Sequence, residues 1–482
     1  PCQIWVAAGS YTPTPPGQPG TRTDSFQMKN NVGIYGGFPA TGNPSGMHRN
    51  WLDNPTILTG EVGSPSYAFD NCYHVFYNPG SLNLNPTARL DGFTITAGRA
   101  DGPGHYNAGG GMYNSGSGGM CHPTIVNCAF SSNYGDQGAG VFNINSALPD
   151  MTNCTFWNNM GILGCGMANV DGSDVRVTNC TFNSNGIDVF SGGGGMYNEA
   201  SDPVITNCIL WGNAPDQISN SVMYGGSPTV TYSDVQGGYP GAGNIDQDPM
   251  LLKPETGYLH LKRHSPCIDT GSDSAALSAG VRTDFDGDAR IIDGDVNGTS
   301  IVDMGADEHR IVFVRKDNTG NGSSWSGALA EFQMGLWESH CGDEIWVSTG
   351  TYMPVITPPL RPGECYCNSD CGNEPWWSPF GQYCSKVEGD CQGVGTCTDK
   401  PELCLAYYSP VCGCDGNTYG NSCEFAKWGV NVAYSGHCGG TPAPVTRPGT
   451  TPNRFRMNNG VDTSPFFPST DTPMWACRNR EN

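Results

Sequence analysis

From about residue 110 to residue 213, apolar and polar positions alternate in bursts too short for a helix, and the bursts recur at a fixed interval. Four stretches, PTIVNCAFSSN, PDMTNCTFWNN, VRVTNCTFNSN and PVITNCILWGN, place Asn-Cys at 127/128, 153/154, 179/180 and 207/208, with spacings of 26, 26 and 28 residues. Five residues beyond each cysteine stands a second asparagine, at 133, 159, 185 and 213, and a glycine-led strand (GGGMYN, GAGVFN, GCGMAN, GGGMYN) precedes each stretch. Each unit reads as two to three short strands with no segment of helical period, which excludes leucine-rich and helical repeats. A period of this length with Gly and Asn at fixed offsets predicts a solenoid, here a parallel β-coil. Turns of such a coil stack about 4.8 Å apart, so Asn127, Asn153, Asn179 and Asn207 are expected in one line along the axis. Stacked asparagines can hydrogen-bond along that axis, and Gly and Asn accept the left-handed backbone that tight corners require. The row Cys128, Cys154, Cys180 and Cys208 is expected to hold small buried side chains, because parallel Cβ atoms at this spacing stand a little too far apart for a disulfide.

The same alternation extends outward through VGIYGGF (32–38), PTILTGEV (55–62), ARLDGFTITAG (88–98) and PTVTYSDVQGG (228–238). IWVAAGSYTP at Ile4 returns as IWVSTGTYMP at Ile345, following a strand-like IVFV and an Ala-Leu-Phe-Met-Leu pattern at helical spacing. The segment after the first copy contains SFQMKNNV, whereas RFRMNNGV follows the second only after a cysteine-rich stretch. The simplest account is an insertion into the loop between two strands, where little buried backbone is disturbed. The expected organisation is a coil over 1–243, truncated at its N-terminal end, with a closing region at 244–310. A second coil would start at 311–363, take the insert at 364–440, continue at 441–461 and end in an irregular tail at 462–482.

With 45 acidic against 23 basic residues the formal charge is −22, which argues against a nucleic-acid backbone or an anionic membrane as partner. No run of 18 apolar residues is present, so no membrane span is expected. Of the 22 cysteines, 11 fall between Cys365 and Cys438, a density that belongs to disulfide scaffolds in oxidising compartments. The chain is therefore expected at the cell surface or outside the cell, with a signal peptide upstream of Pro1.

The Asn-Cys repeats and glycine-led strands resemble the right-handed parallel β-helix proteins of the pectate-lyase-like superfamily, especially bacterial surface proteins. The resemblance covers roughly residues 2–240, and NIDQDPMLL, SPCIDTG and IVDMGADE resemble the run that closes such domains. Within the insert, seven residues separate Cys404 from Cys412 and ten separate Cys412 from Cys423. With PVCG, TYGN and the closing GHC, this stretch resembles a Kazal-type protease-inhibitor domain. The fold class implied is all-β: a right-handed parallel β-helix solenoid plus a small disulfide-rich Kazal-like domain.

The Kazal resemblance implies bridges Cys404–Cys423 and Cys412–Cys438. The family's fifth cysteine is missing and Cys414 is additional, so Cys397–Cys414 is taken as the replacement; the pairing of Cys365, Cys367, Cys371, Cys384 and Cys391 stays open. It also implies a protease-binding loop of Leu405, Ala406, Tyr407 and Tyr408. Ala406 would enter the protease's primary pocket, with Asn421 bracing the loop. A small side chain there suits proteases of the elastase or subtilisin kind.

The β-helix resemblance raises polysaccharide lyases and glycoside hydrolases as an alternative, although fold alone does not give activity. Asp91 occupies the coil position of the later asparagine row, between Arg89 and Arg99, but no Asp-Asp pair or Gly-His-Gly stretch occurs in the repeats. No catalytic residue is assigned, and the balance leans against an enzyme. Asp284, Asp286, Asp288, Asp293 and Asp295 fall within twelve residues, a pattern that suits calcium; the other reading is a solvated acidic loop closing the coil. No other cofactor is implied. The expected function is a non-catalytic adhesive, glycan-binding or spacer scaffold, with an extracellular serine protease or a polysaccharide as partner.

Overall fold

A computed structural model describes residues 2–352 apart from positions 16, 42–48, 65–66, 187–191, 281, 319 and 340–341. Beyond 352 it describes 364–365, 382–385, 395–399, 410–413, 418–419, 421, 426 and 432–435. Two compact units are present: one holds residues 2–329 and 338–349, the other 330–337, 350–352 and the described residues from 364 to 435.

In the first unit the repeat folds as a parallel coil. One eight-stranded face collects the strands that end just before each Asn-Cys, among them Thr124–Val126, Asp150–Thr152, Arg176–Thr178 and Val204–Thr206. A second eight-stranded face takes the strands just after it, among them Ala129–Ser131, Thr155–Trp157, Thr181–Asn183 and Ile209–Trp211. The glycine-led strands build a six-stranded third face, including Met112–Ser115, Val141–Ile144, Met167–Val170 and Met196–Glu199.

Because the register advances by one whole turn, like stacks on like. Leu90, Ile125, Met151, Val177 and Ile205 follow one another inside the first face, and all five are buried. In the second face Phe130 and Phe156 have ring centroids 5.2 Å apart, and Phe156 and Phe182 4.2 Å, with planes within 8° and 3° of parallel. Each such ring removes enough apolar surface from water to contribute about 2–3 kcal/mol.

The corners explain the asparagines. Asn127, Asn153, Asn179 and Asn207 have φ between 50° and 55°, the left-handed region in which Asn is tolerated. At the next corner, Asn159 Nδ2 donates to Asn185 Oδ1 at 2.9 Å and to the Phe130 carbonyl at 2.8 Å. Its Oδ1 accepts from the Asn133 amide side chain at 3.0 Å and the Asn133 backbone N–H at 3.2 Å, so all of this buried amide's capacity is used. The row runs Asn133, Asn159, Asn185, Asn213 and is closed by Gln217, whose Oε1 accepts from Asn213 at 2.6 Å. A third row, Asn78, Asn114, Asn143, Asn169, Asn198 and Asn220, passes side-chain hydrogen bonds of 2.9–3.1 Å along the third face. The cysteine row is free of disulfides and buried, and each thiol donates to the carbonyl two residues earlier at 3.2–3.3 Å.

The closing region folds back along the outside of the second face. A hairpin of Leu251–Lys253 and Tyr258–Leu261 and a helix at Asp273–Ser278 lead into loops ending near Arg310. Leu251, Leu259, Leu261, Cys267, Ile268 and Met304 pack on Ile209, with Trp157 and Trp211 beside them. Next come Ile311–Val314 and Glu344–Val347, paired in parallel with Val312 opposite Ile345. Ile4 instead pairs with Ile34 in the first face of the coil, so the two similar stretches lie in different sheets. The helical pattern in the second copy becomes a helix at Phe332–Glu338.

The second unit contains two three-stranded antiparallel sheets. One is built of Glu364–Cys365, Gly395–Asp399 and Gln382–Ser385, and the other of Thr418–Tyr419, Val411–Gly413 and Val432–Ser435. The expected stretches 353–363, 441–461 and 462–482 lie outside the described residues.

Candidate functional site

A cavity of about 320 Å³ lies in the first unit between the second face and the closing region. Its floor includes Thr94, Ser131, Thr155 and Trp157, and its opposite wall includes Tyr258, His260, Phe285, Asp286 and Asp307. Two indoles hold the wall in place: Trp157 Nε1 donates to the Pro254 carbonyl at 2.8 Å, and Trp51 Nε1 donates to the Phe285 carbonyl.

His260, Asp286 and Asp307 meet at one edge of this cavity. His260 Nε2 is 2.5 Å from Asp286 Oδ2 and 4.0 Å from Asp307 Oδ1. Burial opposes protonation of the imidazole, but Asp286 and Asp307 outweigh it and hold the His260 pKa up to about 10. Burial raises Asp307 to about 6 despite the attraction of His260. The Tyr258 ring lies tilted against the His260 ring with centroids 4.1 Å apart, and Asp307 Oδ2 accepts the Leu261 N–H at 2.7 Å. These contacts fix ring and carboxylate.

The five clustered aspartates do not share one centre. Asp284 is buried and turns inward: its Oδ1 accepts the N–H groups of Asp286, Gly287 and Asp288, and its Oδ2 that of Glu308. Asp286 joins His260, and Asp288 pairs with Arg310 at 2.6 Å. Asp293 and Asp295 stand with Asp269, a residue outside the cluster in sequence. Asp91 accepts from Asn127 Nδ2 at 3.0 Å, which puts it in the asparagine row, and pairs with Arg49 and Arg89 at 2.6 Å each. Arg99 pairs with Asp101 instead, at 2.8 Å.

Sequence reasoning missed His260, Asp307 and Asp269, as well as the clasp that docks the closing region on the coil. Arg290 is 2 % exposed and donates to the carbonyls of Asp303, Gly305 and Ala306. Its Nε also faces the Asn179 side-chain amide at 3.0 Å, whose oxygen accepts from it once the amide is turned to satisfy both groups. Thr181 Oγ1 accepts the Ala306 N–H at 3.0 Å, and Asn153 donates to the Thr283 carbonyl at 2.6 Å. The Asn127 row thus keeps its backbone register while its side chains leave the axis: Asn153 still donates to Asn127 at 3.1 Å, but the next members turn to the closing region.

In the second unit, the sheet around Val411–Gly413 carries Cys412, which is disulfide-bonded and 4 % exposed. Asn421 is 1 % exposed. Cys397 lies in a strand whose register sets it opposite Cys384. Leu405, Ala406, Tyr407 and Tyr408, and Cys404, Cys414, Cys423 and Cys438, lie outside the described residues. Among the described residues no helix is long and apolar enough to cross a membrane.

Two family models match the chain. A right-handed β-helix region matches residues 87–235, and a Kazal-type serine protease inhibitor domain matches residues 397–438. The first covers the stacked repeats and the second the sheet around Cys412, so the chain joins a parallel β-helix to a Kazal domain. No curated protein is similar enough to match the chain.

Proposed function

We propose that this chain is a secreted or cell-surface scaffold, not itself catalytic, whose Kazal domain inhibits an extracellular serine protease of the subtilisin or elastase kind. The observation that carries the reading is the Kazal match at 397–438, over the stretch where Cys404, Cys412 and Cys423 keep the family's spacing. A disulfide-held loop inhibits because it meets the protease already in the bound shape, so little ordering cost remains. Leu405, Ala406, Tyr407 and Tyr408 form that loop in this reading, with the Ala406 methyl group in a shallow primary pocket. The β-helix supports it as a stiff carrier. Its parallel strands and the hydrogen-bonded asparagine rows from Asn133 and from Asn78 leave a rigid body for an adhesive or glycan-binding surface.

Polysaccharide hydrolysis gains no support from the cavity. Facing carboxylates need about 5–5.5 Å between them for a retaining mechanism and more for an inverting one. The two carboxylates of the cavity, Asp286 and Asp307, instead both face His260, which occupies the place between them.

Titrating the oxidised full chain against subtilisin, elastase and trypsin tests the proposal. Stoichiometric inhibition of the first two, weak inhibition of trypsin, and a shift toward trypsin on Ala406→Arg are expected. Folded, oxidised protein that inhibits none of the three would leave the Kazal domain a disulfide-bonded spacer.

A further inference from the structure

We infer that His260, Asp286 and Asp307 form a binding site for a divalent first-row metal ion of the zinc or manganese kind, with an open coordination position facing the 320 Å³ cavity. This is independent of the inhibitory reading and concerns the other unit of the chain.

One imidazole nitrogen and two carboxylate oxygens come within 4.8 Å of one another. Zinc bonds of about 2.0–2.2 Å to such ligands put neighbouring ligand atoms about 3.3 Å apart in a tetrahedral site. The observed separations from His260 Nε2, 2.5 Å to Asp286 and 4.0 Å to Asp307, bracket that value. A small side-chain rotation of each aspartate reaches it.

The second observation is unsatisfied chemistry. Asp286 is 6 % exposed, lines the cavity, and its Oδ1 has no hydrogen-bond partner. A buried carboxylate oxygen without a partner is costly, and native folds seldom leave one without a reason. Neighbouring charges do not relieve it. Arg310 is engaged by Asp288, and Arg290 by the carbonyls of the clasp. Asp286 and Asp307 therefore share one imidazole; a divalent cation takes the place of the proton on His260 Nε2, which is released to solvent, and offsets both carboxylates.

The donor set selects the ion. Calcium takes six to eight oxygen ligands, whereas an imidazole in the set suits zinc, iron, copper or nickel, and the two carboxylates also admit manganese. Tyr258 against the ring and Gly342 behind it hold His260 in place; a Cβ on Gly342 would stand 3.1 Å from the imidazole. Three protein ligands at the edge of a cavity leave a coordination position for water or another oxygen ligand, the arrangement of an exchangeable site rather than a closed structural one.

The test uses the full chain, oxidised and stripped with a chelator, titrated calorimetrically with zinc chloride and separately with calcium chloride. Cobalt absorption reports whether the ligands are nitrogen and oxygen or thiolate. One zinc per chain is expected at this site, with a cobalt spectrum free of thiolate charge transfer. Zinc affinity should fall at least about 30-fold in His260→Asn and in Asp307→Asn, and stay unchanged in Asp293→Asn, which belongs to the other acidic group. Should His260→Asn fail to fold by circular dichroism, Asp307→Asn decides alone. No zinc binding, unaltered zinc affinity in Asp307→Asn, or a thiolate cobalt spectrum would each overturn the inference.

Discussion

Asn207 holds Ser272 by two hydrogen bonds: its Oδ1 accepts the Ser272 N–H at 2.7 Å and its Nδ2 donates to the Ser272 carbonyl at 3.0 Å. A side chain expected to serve only its neighbours along the coil is therefore also a docking point for the closing region. Asn207 sits at φ 55°, so the left-handed corner that demands Asn also aims its amide outward. Replacing it by Ala removes both bonds and adds left-handed strain, for a combined loss of about 2–4 kcal/mol. Asn207→Gly relieves the strain and should recover about 1 kcal/mol of it. Urea unfolding of the three proteins separates the two contributions.

Arg290 is the largest fully buried side chain of the clasp and serves three carbonyls with one planar fork. Lysine keeps the charge but cannot reach several acceptors at once, and it leaves Glu308, 3.7 Å from Arg290 Nε, poorly matched. Arg290→Lys should cost about 3 kcal/mol. It should also expose the closing region to limited proteolysis near residues 280–300 before the coil itself is cut.

Asp234 is buried in the second face, and burial raises its pKa to about 7. Its ordinary value is near 3.8, so the folded state favours the protonated form. Stability from this group is present at low pH and declines as pH rises from about 4 through about 7, where the folded carboxyl must ionise. Asp234→Asn keeps the shape without the charge and should stabilise the protein by about 1–3 kcal/mol at pH 8, with little effect at pH 4. Thermal melts across that range check the sign. Greater destabilisation at pH 8 than at pH 4 would mean that Asp234 is stabilised as an anion.

Asn421 is buried beside the sheet that carries Cys412. If it braces the inhibitory loop, Asn421→Ala loosens a segment whose rigidity is the source of affinity, and inhibition of subtilisin should weaken about ten-fold or more. Thiol titration must show the disulfides intact in the variant. Unchanged inhibition would give Asn421 a purely structural place in the domain.

The coil was written in the sequence because its determinants are local and repeated. Alternation makes strands, a constant spacing of 26 to 28 residues stacks them, and Asn and Gly at fixed offsets mark the corners. Phe130, Phe156 and Phe182, and the row from Asn133 to Asn213, land on one another for no further reason than that period. The cysteine spacing of the Kazal domain was legible for the same reason, since disulfide frameworks constrain positions along the chain.

What chain spacing does not encode is which way a loop turns. Asp284, Asp286, Asp288, Asp293 and Asp295 are neighbours in sequence, yet the fold turns the first inward onto backbone N–H groups and sends the others to three different partners. His260 and Asp307 reach Asp286 only because the closing region doubles back over the second face. Asn207 meets Ser272 across 65 residues of chain, by the same return. Periodicity sets the positions that repeat, and the packing of one non-repeating segment against them decides where the buried charges meet. Those contacts depend on two surfaces together, and neither surface carries the other's address.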